Sequence, residues 1–215
     1  MCYRSFFGSR YDRFMHLLEK RYLGARRKRL LSGLRGAILE VGVGTGVNLS
    51  YYGQEVHLTG IEPSPTMLAQ ARRKLERRKD SDRFSLFPVG CGQDAMLNLV
   101  SEARFDHIVC TLVLCTIPDP QRALENYMTW LKPGGTLVIL EHIRSHHRGK
   151  GRLQDLANPL WEKIGDGCQL NRPTDLLLEK SGFMLVREER FRIGLPFLEA
   201  VYRKPGPADS VALSS

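Results

Sequence analysis

No stretch of uncharged apolar residues in this 215-residue chain is long enough to cross a bilayer. The longest follows Asp106, in "HIVCTLVLCTIP", and falls well short of the ~20 residues a membrane helix needs. A secretory signal is absent too, because Arg4, Arg10 and Asp12 interrupt the opening "MCYRSFFGSRYDRF" where an unbroken apolar core belongs. A soluble, cytoplasmic protein is expected. Cysteine is scarce and poorly spaced for structural chemistry. The five are Cys2, Cys91, Cys110, Cys115 and Cys168, an odd number without a Cys-x-x-Cys pair, which argues against both a disulfide framework and a zinc knuckle. Cys110 and Cys115 lie in the apolar run and read as buried thiols that fill space; Cys168 reads as structural. The histidines add no metal pattern. His142, His146 and His147 are close, but two are adjacent and no carboxylate or cysteine completes a known spacing, so no metal is expected. Aromatic residues are only 8% of the chain. None interleaves with the basic residues of "ARRKLERRKDSDR", which speaks against base stacking. No nucleic-acid partner is expected.

What is present is the composition of one ordinary globular domain, 42% hydrophobic and 26% charged. The net charge of +9 is concentrated in Glu19–Leu30, in Ala71–Arg83 and around "IRSHHRGKGR", stretches that read as solvated helix faces. Tyr11, Phe14, Leu18 and Tyr22 recur at helical spacing, so residues 10–31 are expected to form an amphipathic helix. "GAILEV", "VHLTGI", "FSLFPV", "HIVCTLV" and "GTLVILE" read as buried strands, the last entered by a turn at Lys132–Gly135. A short helix "VNLSYY" follows the first strand. A helix capped by Ser64 with Pro65 in its first turn follows the second, and "PQRALENYMTWL" bridges the fourth and fifth. Strands alternating with helices predict a parallel sheet covered on both faces. Residues 145–173 read as irregular around the apolar patch "LANPLWEKIG". A helix "TDLLLEKSG" and two strands, "FMLVREE" and "FLEAVYR", close the domain at about residue 204 as a hairpin, with a flexible tail at 205–215.

"ILEVGVGTGVN" poses the central chemical question. Gly42, Gly44 and Gly46 follow a buried strand at a spacing of two, and something must approach that backbone closely. A dinucleotide fingerprint needs its third glycine where Val47 stands, and a P-loop fails for want of Gly-Lys-Ser/Thr. Glu40, two residues before the first glycine, repels a pyrophosphate and favours an ammonium or sulfonium. Glu62 ends the second strand, where a carboxylate accepts hydrogen bonds from both ribose hydroxyls. An adenosine ligand with a cationic, phosphate-free tail satisfies both, and S-adenosylmethionine is such a ligand.

With "GIEPSPTMLAQAR", "FDHIVCTLVLCTIPDP", "WLKPGGTLVILEH" and "LLLEKSGF" in order behind it, the chain resembles the class I S-adenosylmethionine-dependent methyltransferases over about residues 37–183. The resemblance implies a single-domain, Rossmann-like α/β fold with a seven-stranded, mostly parallel sheet, an antiparallel last strand and helices on both faces. It implies that Gly42, Gly44 and Gly46 pass the methionine end of the cofactor, that Glu40 faces its ammonium and that Glu62 holds the ribose. Gln93 or Asp94 would contact the adenine, and Thr111 would contribute backbone contacts. "CTLVLCTIPD", "LEHIRS" and "ANPLWEKIGDGCQLNRPT" further resemble the membrane-associated thiol S-methyltransferases of animals, in which the segment after the fifth strand covers the acceptor pocket; the family's hydrophobic N-terminal anchor is not seen here. That resemblance implies a small-molecule thiol acceptor, an acceptor-pocket insertion at 145–173, an N-terminal helical cap at 1–33, and a pocket walled by Leu160, Trp161 and Phe197. Tyr11 would close over the sulfonium, with Asp166 and His142 as proton acceptors or thiol orienters. Two readings stand beside it: methylation of a phospholipid amine or quinone carbon, with the basic first helix in peripheral contact with a membrane, and a catalytically silent cofactor-binding module.

Overall fold

The computed structural model describes residues 19–91, 96, 100, 104–207 and 209. Its seven strands are β1 (Gly36–Val41), β2 (Val56–Ile61), β3 (Phe84–Phe87), β4 (Phe105–Thr111), β5 (Leu131–His142), β6 (Met184–Ile193) and β7 (Leu195–Arg203). They form one sheet in the order β3-β2-β1-β4-β5-β7-β6. The first five run parallel, and β7 enters antiparallel beside β5 with Ile139 opposite Ala200. The strand order reverses between β1 and β4, which puts the crevice for a ligand at their carboxyl ends.

The central strands are apolar without alternation because both faces of the sheet are covered. Leu39, Val41, Ile108, Cys110, Leu137 and Ile139 face one core, closed by Tyr127 and Trp130 of α3 (Pro120–Trp130) and Leu178 of α5 (Thr174–Glu179). Ile38, Val109, Val138 and Leu140 face the other, closed by Leu30 and Leu31 of α1 (Gly24–Leu31) and by Ala71 and Leu75 of α2 (Pro65–Leu75). The cap at Ser64 is the one the sequence suggests, and the structure adds a second at Asp119. Ser64 accepts from Met67 N with Pro65 following, and Asp119 accepts from Arg122 N ahead of Pro120.

The hairpin of β6 and β7 turns at Gly194, whose φ of 70° suits glycine. β6 is the sheet edge, exposed and studded with arginine and glutamate, which protects it from further pairing. α1 is clamped to this hairpin. Arg26 stacks 3.6 Å over the Phe191 ring, and Arg26 and Arg29 both bind the buried carboxylate of Glu199.

Three expectations are corrected. Residues 145–173 are not irregular: α4 (Arg148–Ile164) is the longest helix among the described residues at 17 residues. Gly149, Gly151 and Pro159 disguise it, yet Gly151 sits where a Cβ would lie 2.9 Å from the Ser145 carbonyl. Pro159 is tolerated because side chains hold the helix from outside its own ladder. Gln154 donates to the carbonyls of Ile143 and Leu170 and accepts from Ser145 N, and Asn158 accepts from Leu170 N. The first helix is not uniformly α-helical, since Glu19–Leu23 forms a π-helical turn ahead of α1. The expected tail begins anchored, with Asp209 accepting from Arg203 and from Gly206 N.

Candidate active site

The glycine turn follows β1 at the crevice. Gly42, Gly44 and Gly46 all have positive φ, 69°, 57° and 76°, but they serve different purposes. A Cβ on Gly42 would lie 2.3 Å from Val113 Cγ2, and one on Gly46 would lie 2.7 Å from Leu49 and 3.0 Å from Ala71. These two let the turn pack against the protein. A Cβ on Gly44 would meet nothing nearer than the Gly42 carbonyl at 3.9 Å, so this backbone borders open space, as a close-approaching ligand requires.

Glu62, just past β2, is buried and ties the turn in place. Its Oε2 accepts from Gly44 N at 2.9 Å and its Oε1 from Ser64 N at 2.8 Å. A carboxylate offers about four lone-pair positions, so capacity remains for ribose hydroxyls. Glu40 lies deeper, at 1% exposure. It accepts from Asn48 Nδ2 at 2.8 Å and from the Tyr52 hydroxyl at 2.9 Å. Burial pushes its pKa up to about 7, against the pull of Tyr52, Asn48 and Arg27.

Arg27 is the residue the sequence does not single out. It belongs to a basic run that reads as a solvated face, yet it is 5% exposed, and its guanidinium donates to Asn48 Oδ1 at 2.7 Å and Thr111 Oγ1 at 2.6 Å. The legible signal is its phase: Leu23, Arg27, Leu30 and Leu31 share the buried face of one helix. Thr111 therefore acts through its side chain, accepting from Arg27 and Asn48, beyond the backbone contacts expected of it.

At the carboxyl ends of β4 and β5 a second arrangement appears. Glu141, fully buried, accepts from the backbone N–H groups of Val113 and Leu114 at 2.7 and 2.9 Å and so fixes the loop after β4, where Leu112 has a φ of 56°. Burial raises its pKa to about 7. Cys115 on that loop, His142 at the end of β5 and Cys168 beyond α4 converge. His142 Nε2 lies 3.1 Å from Cys168 Sγ, and the ligand atoms of all three residues lie within 4.8 Å of one another. The Cys115 thiol, with help from His142, holds Cys168 well below the usual thiol range. Phe197 meets the His142 ring edge-on at 6.3 Å. Arg172 braces the loop by donating to the carbonyls of Leu114 and Ile117.

The remaining candidates separate. Asp166 is exposed, in a left-handed turn with φ 55° followed by Gly167 at 87°, the conformation an Asp-Gly pair favours. Leu160 points to solvent, so the expected apolar wall of Leu160, Trp161 and Phe197 loses its first member. His146 turns away from His142 to Asp175, at 2.6 Å. Tyr11, Gln93 and Asp94 lie outside the described residues.

This strand order, with a glycine turn beside open space and a buried carboxylate at the end of β2, defines a class I methyltransferase whose cofactor is S-adenosylmethionine. The chain belongs to a methyltransferase-domain family, whose sequence profile matches residues 11–188. It is 29% identical over 181 residues to the human thiol S-methyltransferase TMT1B, covering 80% of this chain and 73% of that one. Identity to the rat thiol S-methyltransferase TMT1B is 32% over 153 residues, 71% of this chain and 62% of that one, so this chain spans less than two thirds of the rat relative. The phosphatidylethanolamine N-methyltransferase of Cereibacter sphaeroides is 36% identical over 127 residues, 58% of each chain. Among solved structures the cyclase SpnF superposes with a TM-score of 0.63 at 19% identity, over 91% of this chain and 82% of that one. An S-adenosylmethionine-dependent methyltransferase of Methanosarcina mazei gives 0.62 at 16%, over 80% and 93%. At these identities the structural likeness is one of fold alone.

The packing contrast between two glycines is testable by urea denaturation. Gly42→Ala forces a methyl into Val113 and is expected to cost about 2–4 kcal/mol. Gly44→Ala suffers only the left-handed backbone and costs about 1–2 kcal/mol. Equal losses would contradict the assignment of open space to Gly44.

Proposed function

We propose that the protein transfers the methyl group of S-adenosylmethionine to the sulfur of a small-molecule thiol. The observation that carries the acceptor class is the state of the acids and the imidazole at the ligand end of the sheet. Glu40 and Glu62 each accept from two protein donors. Glu141 holds two backbone amides and its second oxygen is enclosed. His142 faces Cys168, and Asp166 stands in an exposed turn. An acceptor that ionises by itself suits such a site. A thiol, with a pKa of about 8.5, is already partly thiolate near neutrality and strongly nucleophilic, whereas an amine or a ring carbon asks for a dedicated base. The similarity to thiol S-methyltransferases supports the same reading.

The bound cofactor supplies an electrophilic methyl on a sulfonium sulfur. The chain's part is to hold and align. The Gly44 backbone would let the methionine end approach, Glu40 would face its ammonium, Glu62 would accept from the ribose, and Gln93 or Asp94, outside the described residues, would meet the adenine. Thr111 and Arg27 keep Asn48 and Glu40 in register. Residues 145–173 would cover the acceptor, Trp161 and Phe197 would contribute apolar surface, and Tyr11 would close over the sulfonium. His142 orients the acceptor side of the pocket and Asp166 shapes the turn leading to it. The thiolate sulfur bonds to the methyl carbon as the sulfonium carbon–sulfur bond breaks, the thiol proton having passed to solvent. Alignment and exclusion of water supply the acceleration.

Transfer of labelled methyl to a panel of alkyl and aryl thiols, sulfide, phospholipid vesicles, quinols and catechols is the direct test. Thiols are expected to take the label, with a rate rising about tenfold per pH unit until the acceptor ionises. Label confined to lipid or quinol would overturn the thiol reading.

Glu40 adds a pH signature to cofactor binding. With its pKa near 7 in the free protein, it is largely neutral at pH 6, and an incoming ammonium must draw out its proton. Affinity for S-adenosylmethionine should therefore fall as pH drops from 7.5 to 6. It should also fall above about pH 8, where an α-amino group loses its charge. Calorimetry on Glu40→Gln should show weaker binding at pH 7.5 and no dependence below 7; a flat wild-type profile would sink the role given to Glu40.

A lipid acceptor is favoured by one specific observation. Leu153, Leu156, Leu160 and Ile164 form an apolar stripe along α4, 65%, 80%, 67% and 45% exposed, on a helix that also carries Arg148, Lys150, Arg152 and Lys163. An amphipathic basic helix of this kind suits an anionic surface. Sedimentation with phosphatidylglycerol vesicles separates the readings. Lipid-directed enzyme should pellet and lose about tenfold in binding on Leu156→Asp, whereas failure to pellet even at low salt would remove the lipid reading.

A further inference from the structure

We propose that Cys115, His142 and Cys168 form a zinc site. Nothing in the spacing of these residues announces it, because the ligands come from the loop after β4, the end of β5 and the segment after α4. The fold brings all three into the interior, at 2%, 7% and 6% exposure, with their donor atoms within 4.8 Å of one another. Tetrahedral zinc, with bonds of about 2.3 Å to sulfur and about 2.0–2.1 Å to nitrogen, needs donors a little under 4 Å apart. The contact between His142 and Cys168 at 3.1 Å is somewhat shorter than this and the 4.8 Å limit on the three donors somewhat longer, so metal capture asks for side-chain adjustments of under about 1 Å.

Chemistry selects the ion. Two sulfurs and an imidazole suit borderline-soft zinc over magnesium or calcium, which want oxygen. Two thiolates cancel the charge of a divalent cation, so the loaded site is neutral and its burial costs little. The ring nitrogen that faces Cys168 is Nε2, so it is the natural donor, with the two sulfurs, to an ion between them. Three protein donors leave one position of a tetrahedral ion open. The ion would pin α4 and the chain beyond it to the sheet, and its capture would be part of folding, since all three donors are enclosed.

The site shares His142 with the acceptor side of the proposed pocket, but the two readings are tested by separate readouts. Metal-free protein that methylates thiols removes the zinc site alone, and zinc-loaded protein that methylates no thiol removes the acceptor alone. The test uses the full chain purified under reducing conditions. Elemental analysis should give close to one zinc per chain. Replacement by cobalt(II) should give thiolate-to-cobalt charge-transfer absorption and the intense visible bands of a tetrahedral centre. Cys168→Ser and His142→Gln should each weaken zinc binding by more than the about 10–100-fold that second-sphere partners command, measured against a competing zinc indicator. Cys91→Ser, outside the cluster, should leave it unchanged, and circular dichroism shows which variants are folded. Folded, reduced wild-type protein that binds zinc no better than micromolar overturns the proposal. So does equal loss of zinc in Cys91→Ser, or a Cys115–Cys168 disulfide that forms in preference to metal binding.

Discussion

The ligand face of this sheet is held together by buried carboxylates that accept from backbone amides of the loops. A parallel strand that ends at a crevice leaves N–H groups beyond it without ladder partners, and those groups must find acceptors once enclosed. Glu62 satisfies Gly44 and Ser64, and Glu141 satisfies Val113 and Leu114. Each therefore fixes the two turns on which close approach to a ligand depends. At the opposite end Asp106 does the same for Ala37 N, with Lys132 beside it. Charge-assisted bonds of this sort are worth about twice their neutral counterparts, which is why loops rather than strands can carry the site here.

The same device explains the tension around Glu40. Its carboxylate is enclosed as completely as Glu141 but is met by an amide and a phenol instead of backbone. Neither supplies charge. Arg27 adds a Coulombic pull and shares Asn48 with Glu40, while its guanidinium donates to Asn48 and Thr111. A carboxylate kept near half-ionisation at neutral pH is costly to a resting protein and useful to one whose ligand brings a positive group, since the ligand completes the electrostatics that the fold leaves open.

Much of the fold was legible because its signals are local. β1 and β2 fall where their apolar runs lie, Ser64 with Pro65 marks a helix start, and the last two strand-like runs form the hairpin. The glycine turn was legible for the same reason: spacing and a neighbouring carboxylate are enough to reject a pyrophosphate. What stayed hidden depends on contacts between distant segments. α4 carries glycines and a proline that weaken any local helix signal, and it persists through Gln154 and Asn158 reaching residues on both sides of it. Arg27 looked like one of many surface arginines because charge composition cannot report phase. Cys115, His142 and Cys168 are separated by dozens of residues, and only the closure of β4 against β5 and the return of the chain after α4 bring them together.

This division bears on where acceptor chemistry resides. A sheet of this order with a glycine turn binds the cofactor, and its strand ends do little to choose what receives the methyl group. The choice must come from chain that the sheet does not template. The stretch from His142 to Arg172 is chain of that kind: it leaves β5, runs through α4 and returns to the loop after β4. Its return is secured by Gln169 N donating to the Cys115 carbonyl and by Arg172 bracing Leu114 and Ile117. This stretch is thus tied to the loop after β4, which Glu141 also holds. On the function proposed above, a change in α4 would alter the acceptor side while leaving Glu40, Gly44 and Glu62 untouched, so cofactor use would stay constant while the acceptor varied.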